Sequence, residues 1–350
     1  MYQPLPRTLE AALRDVRDPK PLVRVSAVRD LVPHGEGARD RVIPALEKAL
    51  SDDNALVRAT AAEALGDLAA ADALPGLLVA VEDEHQLVRQ KAIAALGEAK
   101  DARAQSRLAR ALSDPRPEVR FQAVIAYARV ASSREDALRA VLAATRDEDE
   151  VVAHIAFRMA EELADLERGW GASEEPRAAE KTADPALVER ARACLAHTSP
   201  RVRAVAAVVL ASAGDPAGDA LLLQIIDGAL ATPETEDVAA AIELVAERRI
   251  EAARPALKRR ANRGVFGFGR DVLWWHARTA LAKLGDDDAR QAIVSDLGAM
   301  SFEKRTLAVS AVGRAGMIEA KGTLEAMKGH PDRADPGAVE TALSLLSGVA

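Results

Sequence analysis

The sequence predicts an all-α fold, a right-handed α-solenoid of about nine to ten stacked helical hairpins. Three observations carry this expectation. A short template recurs along the chain at intervals suited to two helices and their turns. Its apolar members fall four residues apart, on one stripe of a helix. Hydrophobic residues make up 49% of the 350 while aromatics are only 3%. A core built mainly of Ala and Leu suits close helix packing better than a sheet.

The template reads Asp, four residues, Val-Arg, two residues, Ala, three residues, Leu. It appears at Asp18 to Leu31 (DPKPLVRVSAVRDL), Asp52 to Gly66, Asp83 to Gly97 and Asp114 to Tyr127. The pairs Val23-Arg24, Val57-Arg58, Val88-Arg89 and Val119-Arg120 are spaced by 34, 31 and 31 residues. A fifth copy keeps Asp147, Val152 and Ala156 but has Ala153 where arginine is expected. The pattern returns at Val202-Arg203, Ala206 and Leu210, with His197 in the aspartate position. Looser copies follow at Asp271, His276, Ala280 and Leu284-Gly285, then at Lys304-Arg305, Ala308 and Val312-Gly313, with weak units near Val238 and Val339.

Val, Ala and Leu form the core stripe, and the small alanine admits a neighbouring helix. The aspartate is expected to cap the helix that follows, with Pro19 and Pro115 at its first position. Upstream segments such as Arg41 to Leu50 supply the first helix of each pair. One hairpin cannot bury both of its faces, so stacking is required for a continuous core.

With this template the chain resembles the HEAT repeat group, and the DxxxxVRxxAxxxL form is similar to the subgroup first named for phycobilisome lyases. The resemblance covers nearly the whole chain, most strongly from Asp18 to Tyr127. It implies a helical scaffold or adaptor that binds a protein partner on its concave face, or, through the subgroup, a bilin-lyase-like or other small-ligand-handling protein.

The expected organisation is regular repeats over 1–163, an acidic loop or insertion over 164–185, and divergent repeats over 186–350 continuing the same solenoid. Eight acids and three bases lie between Glu161 and Asp184, with Gly169, Gly171 and Pro176 breaking the periodicity. This stretch reads as a flexible insertion or, because of Trp170, as a partner-binding arm. The segment Glu247 to Arg278 is the opposite in character, with nine bases against three acids on a chain of net charge -7. Phe266, Phe268, Arg270, Trp274 and Trp275 gather there in RGVFGFGRDVLWWH, in what reads as an extended hairpin turn. These five residues are the candidate partner-binding patch, and local packing of the aromatics is the alternative reading.

Asp18, Arg24, Asp52, Arg58, Asp83, Arg89, Asp114 and Arg120 recur at fixed repeat positions. They are expected to form an alternating structural ladder across neighbouring repeats. A cationic groove for an anionic ligand is the alternative, and it requires the guanidinium groups to be unpaired.

Little points to chemistry. The six histidines form no HExxH or i, i+4 pair, and Cys194 is the only cysteine, so neither a cysteine-based zinc site nor an intrachain disulfide is expected. Repeated His-Glu pairs, on which iron-dependent hydroxylases built on HEAT repeats rely, are missing. No catalytic, metal or cofactor-binding residue is assigned, and no cofactor is expected. Net negative charge disfavours nucleic acid and a DNA-glycosylase-like reading. No stretch approaches a membrane span or a secretion signal, so a cytoplasmic location is expected.

Overall fold

The computed structural model describes residues 7–165, 184–262 and 271–348. The chain divides into two compact units, Met1–Gly169 and Trp170–Ala350. Among the described residues every regular element is helical.

The first unit holds five hairpins: α1 (Leu9–Asp15) with α2 (Pro21–Leu31), α3 (Arg39–Ala49) with α4 (Ala55–Asp67), α5 (Leu74–Ala80) with α6 (Gln86–Ala99), α7 (Gln105–Ala111) with α8 (Pro117–Val130), and α9 (Arg134–Ala144) with α10 (Glu150–Asp165). The second unit holds five more. They are α11 (Pro185–Cys194) with α12 (Pro200–Ser212), α13 (Asp219–Asp227) with α14 (Thr235–Glu247), α15 (Arg254–Asn262) with α16 (Trp274–Lys283), α17 (Asp287–Asp296) with α18 (Phe302–Arg314), and α19 (Lys321–Glu325) with α20 (Pro336–Ser347). Each unit is an α-solenoid.

In the first unit the second helices α2, α4, α6, α8 and α10 pack directly on one another, whereas the first helices touch their counterparts little; in the second unit α12, α14 and α16, and α18 with α20, pack in the same way. Helices that converge on one side and spread on the other bend the stack, which puts the second helices on its inner side. The repeat template explains the convergence. Val57, Ala61 and Leu65 are fully buried, as are Val88, Ala92 and Leu96. Near the ends of these helices the chain uses glycine. A Cβ on Gly97 would stand 3.0 Å from the Cα of Ala126, and one on Gly66 would stand 3.1 Å from that of Ala95.

The turn before each second helix differs from expectation. The residues that flank the helix starts are Lys20, Asn54, His85 and Arg116, and the template aspartates lie two residues earlier. Asp18, Asp52, Asp83 and Asp114 each accept the backbone N–H two residues on, at 2.8 to 2.9 Å. Pro19 and Pro115 therefore precede the helices, which begin at Pro21 and Pro117. By closing a tight turn instead of a helix end, each carboxylate uses one oxygen locally, and those of Asp52, Asp83 and Asp114 stay open toward the preceding repeat.

His276 departs from the template in a different way. It stands in the valine position of its repeat, yet remains one-third exposed, while Ala277 and Leu281 take the buried stripe with Ala280 and Leu284. An imidazole buried without a partner is costly, and at this position the ring stays at the surface, facing Glu243 at 3.3 Å.

Residues 166–183 of the expected acidic loop, Trp170 included, lie outside the described residues. So do Phe266, Phe268 and Arg270.

Candidate functional site

Three constellations stand out: the arginine ladder, a tryptophan cluster and a charged groove.

In the first unit each template arginine bridges its own turn and the next. Arg58 donates through one terminal nitrogen to the carbonyl of Asp52 at 3.0 Å, and through Nε and the other nitrogen to both carboxylate oxygens of Asp83 at 2.8 and 2.9 Å. Arg89 does the same with the Asp83 carbonyl at 3.0 Å and the Asp114 carboxylate at 2.7 and 2.9 Å. Arg120 joins the Asp114 carbonyl to the Asp147 carboxylate. Arg24 reaches the Asp18 carbonyl at 3.0 Å and Asp52 at 2.6 Å, with Asp53 also in contact.

The paired side chains are mostly buried, Arg58 and Asp83 being 11% and 12% exposed. Burial pushes the Asp83 carboxyl up, but the Arg58 hydrogen bond, the His85 N–H and the Arg58 charge outweigh it and hold the group below its ordinary value. Asp52 is likewise lowered against its burial, by Arg24 and the Asn54 N–H. The Asp83 hydrogen bond raises Arg58 further. All four guanidinium groups thus have carboxylate and carbonyl partners within the fold. Two parallel charge-assisted bonds fix both distance and angle between neighbouring hairpins. In the second unit Arg203 keeps only the local half of the arrangement, donating to the His197 carbonyl at 2.8 Å.

Trp274 and Trp275 open α16 and meet edge to face, ring centres 4.9 Å apart. Arg278 lies one turn on, its guanidinium 4.7 Å from the Trp274 ring, and pairs with Asp296 at 3.0 Å. Asp296 is nearly buried and also takes Lys304 at 2.6 Å. Both indoles are half-buried, and Trp275 packs on the core of the second unit. Of the five sequence-selected patch residues, the structure describes only these two.

The groove went unseen in the sequence. It runs over the second helices of the second unit with a volume of about 640 Å³. Ala246, Ala280, Gly313 and Ala315 are among the small residues that line it, and Glu243, Glu247, Arg249, Lys283, Arg290 and Arg314 stand along it. The Oε1 of Glu243 accepts from Arg314 at 2.8 Å and lies 3.3 Å from Nδ1 of His276. That hydrogen bond with His276 lowers the Glu243 carboxyl; burial opposes it and the Arg314 charge adds to it. Lys283 pairs loosely with Glu247 at 3.7 Å. Arg249 is exposed and, among the described residues, has no carboxylate within ion-pair distance. The available signal was a polar stripe on each helix, Glu243 and Glu247 four apart on α14, and His276 and Lys283 seven apart on α16, beside the apolar one.

Among the described residues no three His, Cys, Asp or Glu side chains cluster as a metal site would need. Among the described residues no helix is long and apolar enough to cross a membrane. Cys194 is buried.

A family model described as HEAT repeats matches residues 6–85 and 74–161. No curated protein matches the chain. Among solved structures, YibA from Escherichia coli is similar over 80% of this chain and 93% of its own, at 16% identity and a TM-score of 0.52. An engineered protein is 18% identical over 97% of this chain and 98% of its own, with a TM-score of 0.42. A designed armadillo repeat protein solved in complex with a (KR)4 peptide is 18% identical over 59% of this chain and all of its own, also with a TM-score of 0.42.

Proposed function

We propose that the chain is a non-catalytic scaffold that binds a protein partner along the second helices of its solenoid units, with the 264–275 segment as an additional contact. One observation carries the reading. The first-unit arginines at the template position are consumed by internal pairs, whereas the second helices of the second unit leave exposed charges standing over small residues. The first arrangement builds a rigid frame, and the second offers an unoccupied surface. A preformed surface loses little conformational entropy on binding, which favours recognition over chemistry.

A cytoplasmic location fits this reading. The narrower likeness to the phycobilisome-lyase subgroup rests on the DxxxxVRxxAxxxL template alone, and a bound bilin or other small ligand is the outcome that would replace the scaffold reading.

The test is affinity capture from native lysate with the wild-type chain, a Phe266→Ala, Phe268→Ala, Arg270→Ala variant and an Arg249→Glu, Lys283→Glu variant of equal helicity. Proteins retained by wild type and lost from either variant support the scaffold and locate its contact. A coloured or small-molecule ligand in the eluate, with no retained protein, overturns it.

A further inference from the structure

We propose that the groove over α14, α16, α18 and α20 receives an extended acidic segment of a partner protein. This deepens the scaffold reading and rests on it.

Charge is the first argument. Four cations, Arg249, Lys283, Arg290 and Arg314, line the groove against two carboxylates, Glu243 and Glu247, with Glu319 beside it pairing Arg290 at 3.4 Å. The whole chain carries a net charge of -7. A local positive excess on a negative molecule steers an acidic peptide to one place, whereas a nucleic acid needs a longer basic track to offset repulsion elsewhere.

Shape is the second. Ala246, Ala280, Gly313 and Ala315 have little side chain, so a peptide backbone can lie close to the helices. From Glu243 on α14 to Leu345 on α20 the groove crosses three interhelical steps of roughly 8 to 10 Å each. An extended chain rises about 3.3 Å per residue, so about eight residues span that distance.

The third argument is how the cations are held in the free protein. The side chains of Arg314 and Glu243 are 57% and 45% exposed, and Lys283 is 3.7 Å from Glu247. Exposed pairs of this kind are weak. An incoming carboxylate can take Arg314 from Glu243 at small cost, so Glu243 acts as an internal stand-in for the ligand. Arg249 sits at the groove with φ +52, in the left-handed position that glycine fills in neighbouring turns at Gly214, Gly285 and Gly316.

The test uses the full chain and a fluorescein-labelled octapeptide of alternating Glu and Ala, followed by anisotropy at low salt. Saturable binding that weakens with salt is expected. Arg249→Glu with Lys283→Glu should reduce affinity at least tenfold, and Glu243→Gln should raise it several-fold by releasing Arg314. The gain matters because a misfolded variant cannot produce it. An alternating Lys and Ala peptide that binds equally well, or charge reversals without effect, would overturn the proposal. So would a single-stranded oligonucleotide of equal charge that binds more tightly and responds to the same substitutions. If a partner is captured from lysate equally by wild type and the groove variant, the scaffold reading survives and this site does not.

Discussion

Arg89 holds Asp114 with two parallel hydrogen bonds while the same guanidinium grips the carbonyl of Asp83, so one side chain ties two turns 31 positions apart. The aspartate that accepts these bonds also closes its own turn by accepting the Arg116 N–H at 2.9 Å. Turn geometry and repeat spacing are thereby set by the same few atoms.

Removing one member of such a pair leaves the other charge poorly solvated. Arg58→Ala is expected to destabilise the first unit by about 3 kcal/mol, and Asp83→Ala by a similar amount. The double variant should cost clearly less than the sum, with a coupling of about 1 to 3 kcal/mol. Urea denaturation followed by circular dichroism measures all three. Additive losses would mean that the pair does not act as a unit.

The ladder also predicts an acid limit. The carboxyls of Asp52 and Asp83 lie below the ordinary 3.8 in the folded protein. Their contribution is fully present above the unfolded value and is lost as pH falls through the lowered folded values. Thermal stability of the first unit should therefore be flat with respect to these groups above about pH 5 and fall below about pH 4. In Asp83→Asn that fall should be shallower. Melting curves at a series of pH values check both.

Close approach of second helices makes one glycine indispensable and another dispensable. A Cβ on Gly313 would sit 2.7 Å from the Cα of Ala342, whereas one on Gly322 meets nothing within 4 Å. Gly313→Ala should destabilise the second unit by about 1 to 2 kcal/mol, despite alanine's better helix propensity. Gly322→Ala should stabilise it by up to about 1 kcal/mol. Chemical denaturation followed by tryptophan fluorescence compares them.

Arg278 serves aromatic rings and a carboxylate at once. Arg278→Ala removes a cation from above Trp274 and one of two bases from the nearly buried Asp296, with Lys304 remaining. A loss of about 1 to 3 kcal/mol is expected, with a change in tryptophan emission under native conditions. Unchanged emission would place the indoles outside the influence of this arginine.

The fold was readable because its information is periodic. Val57, Ala61 and Leu65 repeat in Val88, Ala92 and Leu96, and each copy reinforces the others. The cross-repeat partners of the arginines were suggested by the same recurrence, but the tight turn formed by the aspartates was not, because helix capping and turn closure use the same residue types near a helix start. The groove was illegible for a different reason. Glu243, His276, Lys283 and Arg314 come from three hairpins of divergent sequence, and nothing local to any one of them marks it as part of a shared surface. His276 even stands at the template's valine position, which marks it as core rather than as part of a surface.

The ladder has a direction. Every regular hairpin of the first unit presents a guanidinium to the hairpin that follows and a carboxylate to the one that precedes. Such a joint is indifferent to how many modules lie on either side of it. Duplication or loss of a hairpin such as that of Arg58 or Arg89 would leave an arginine facing an aspartate at the new seam. Ala153, in the arginine position after Asp147, withholds the donor, and the next copy of the template has His197 in place of the aspartate, so the series ends at Asp147.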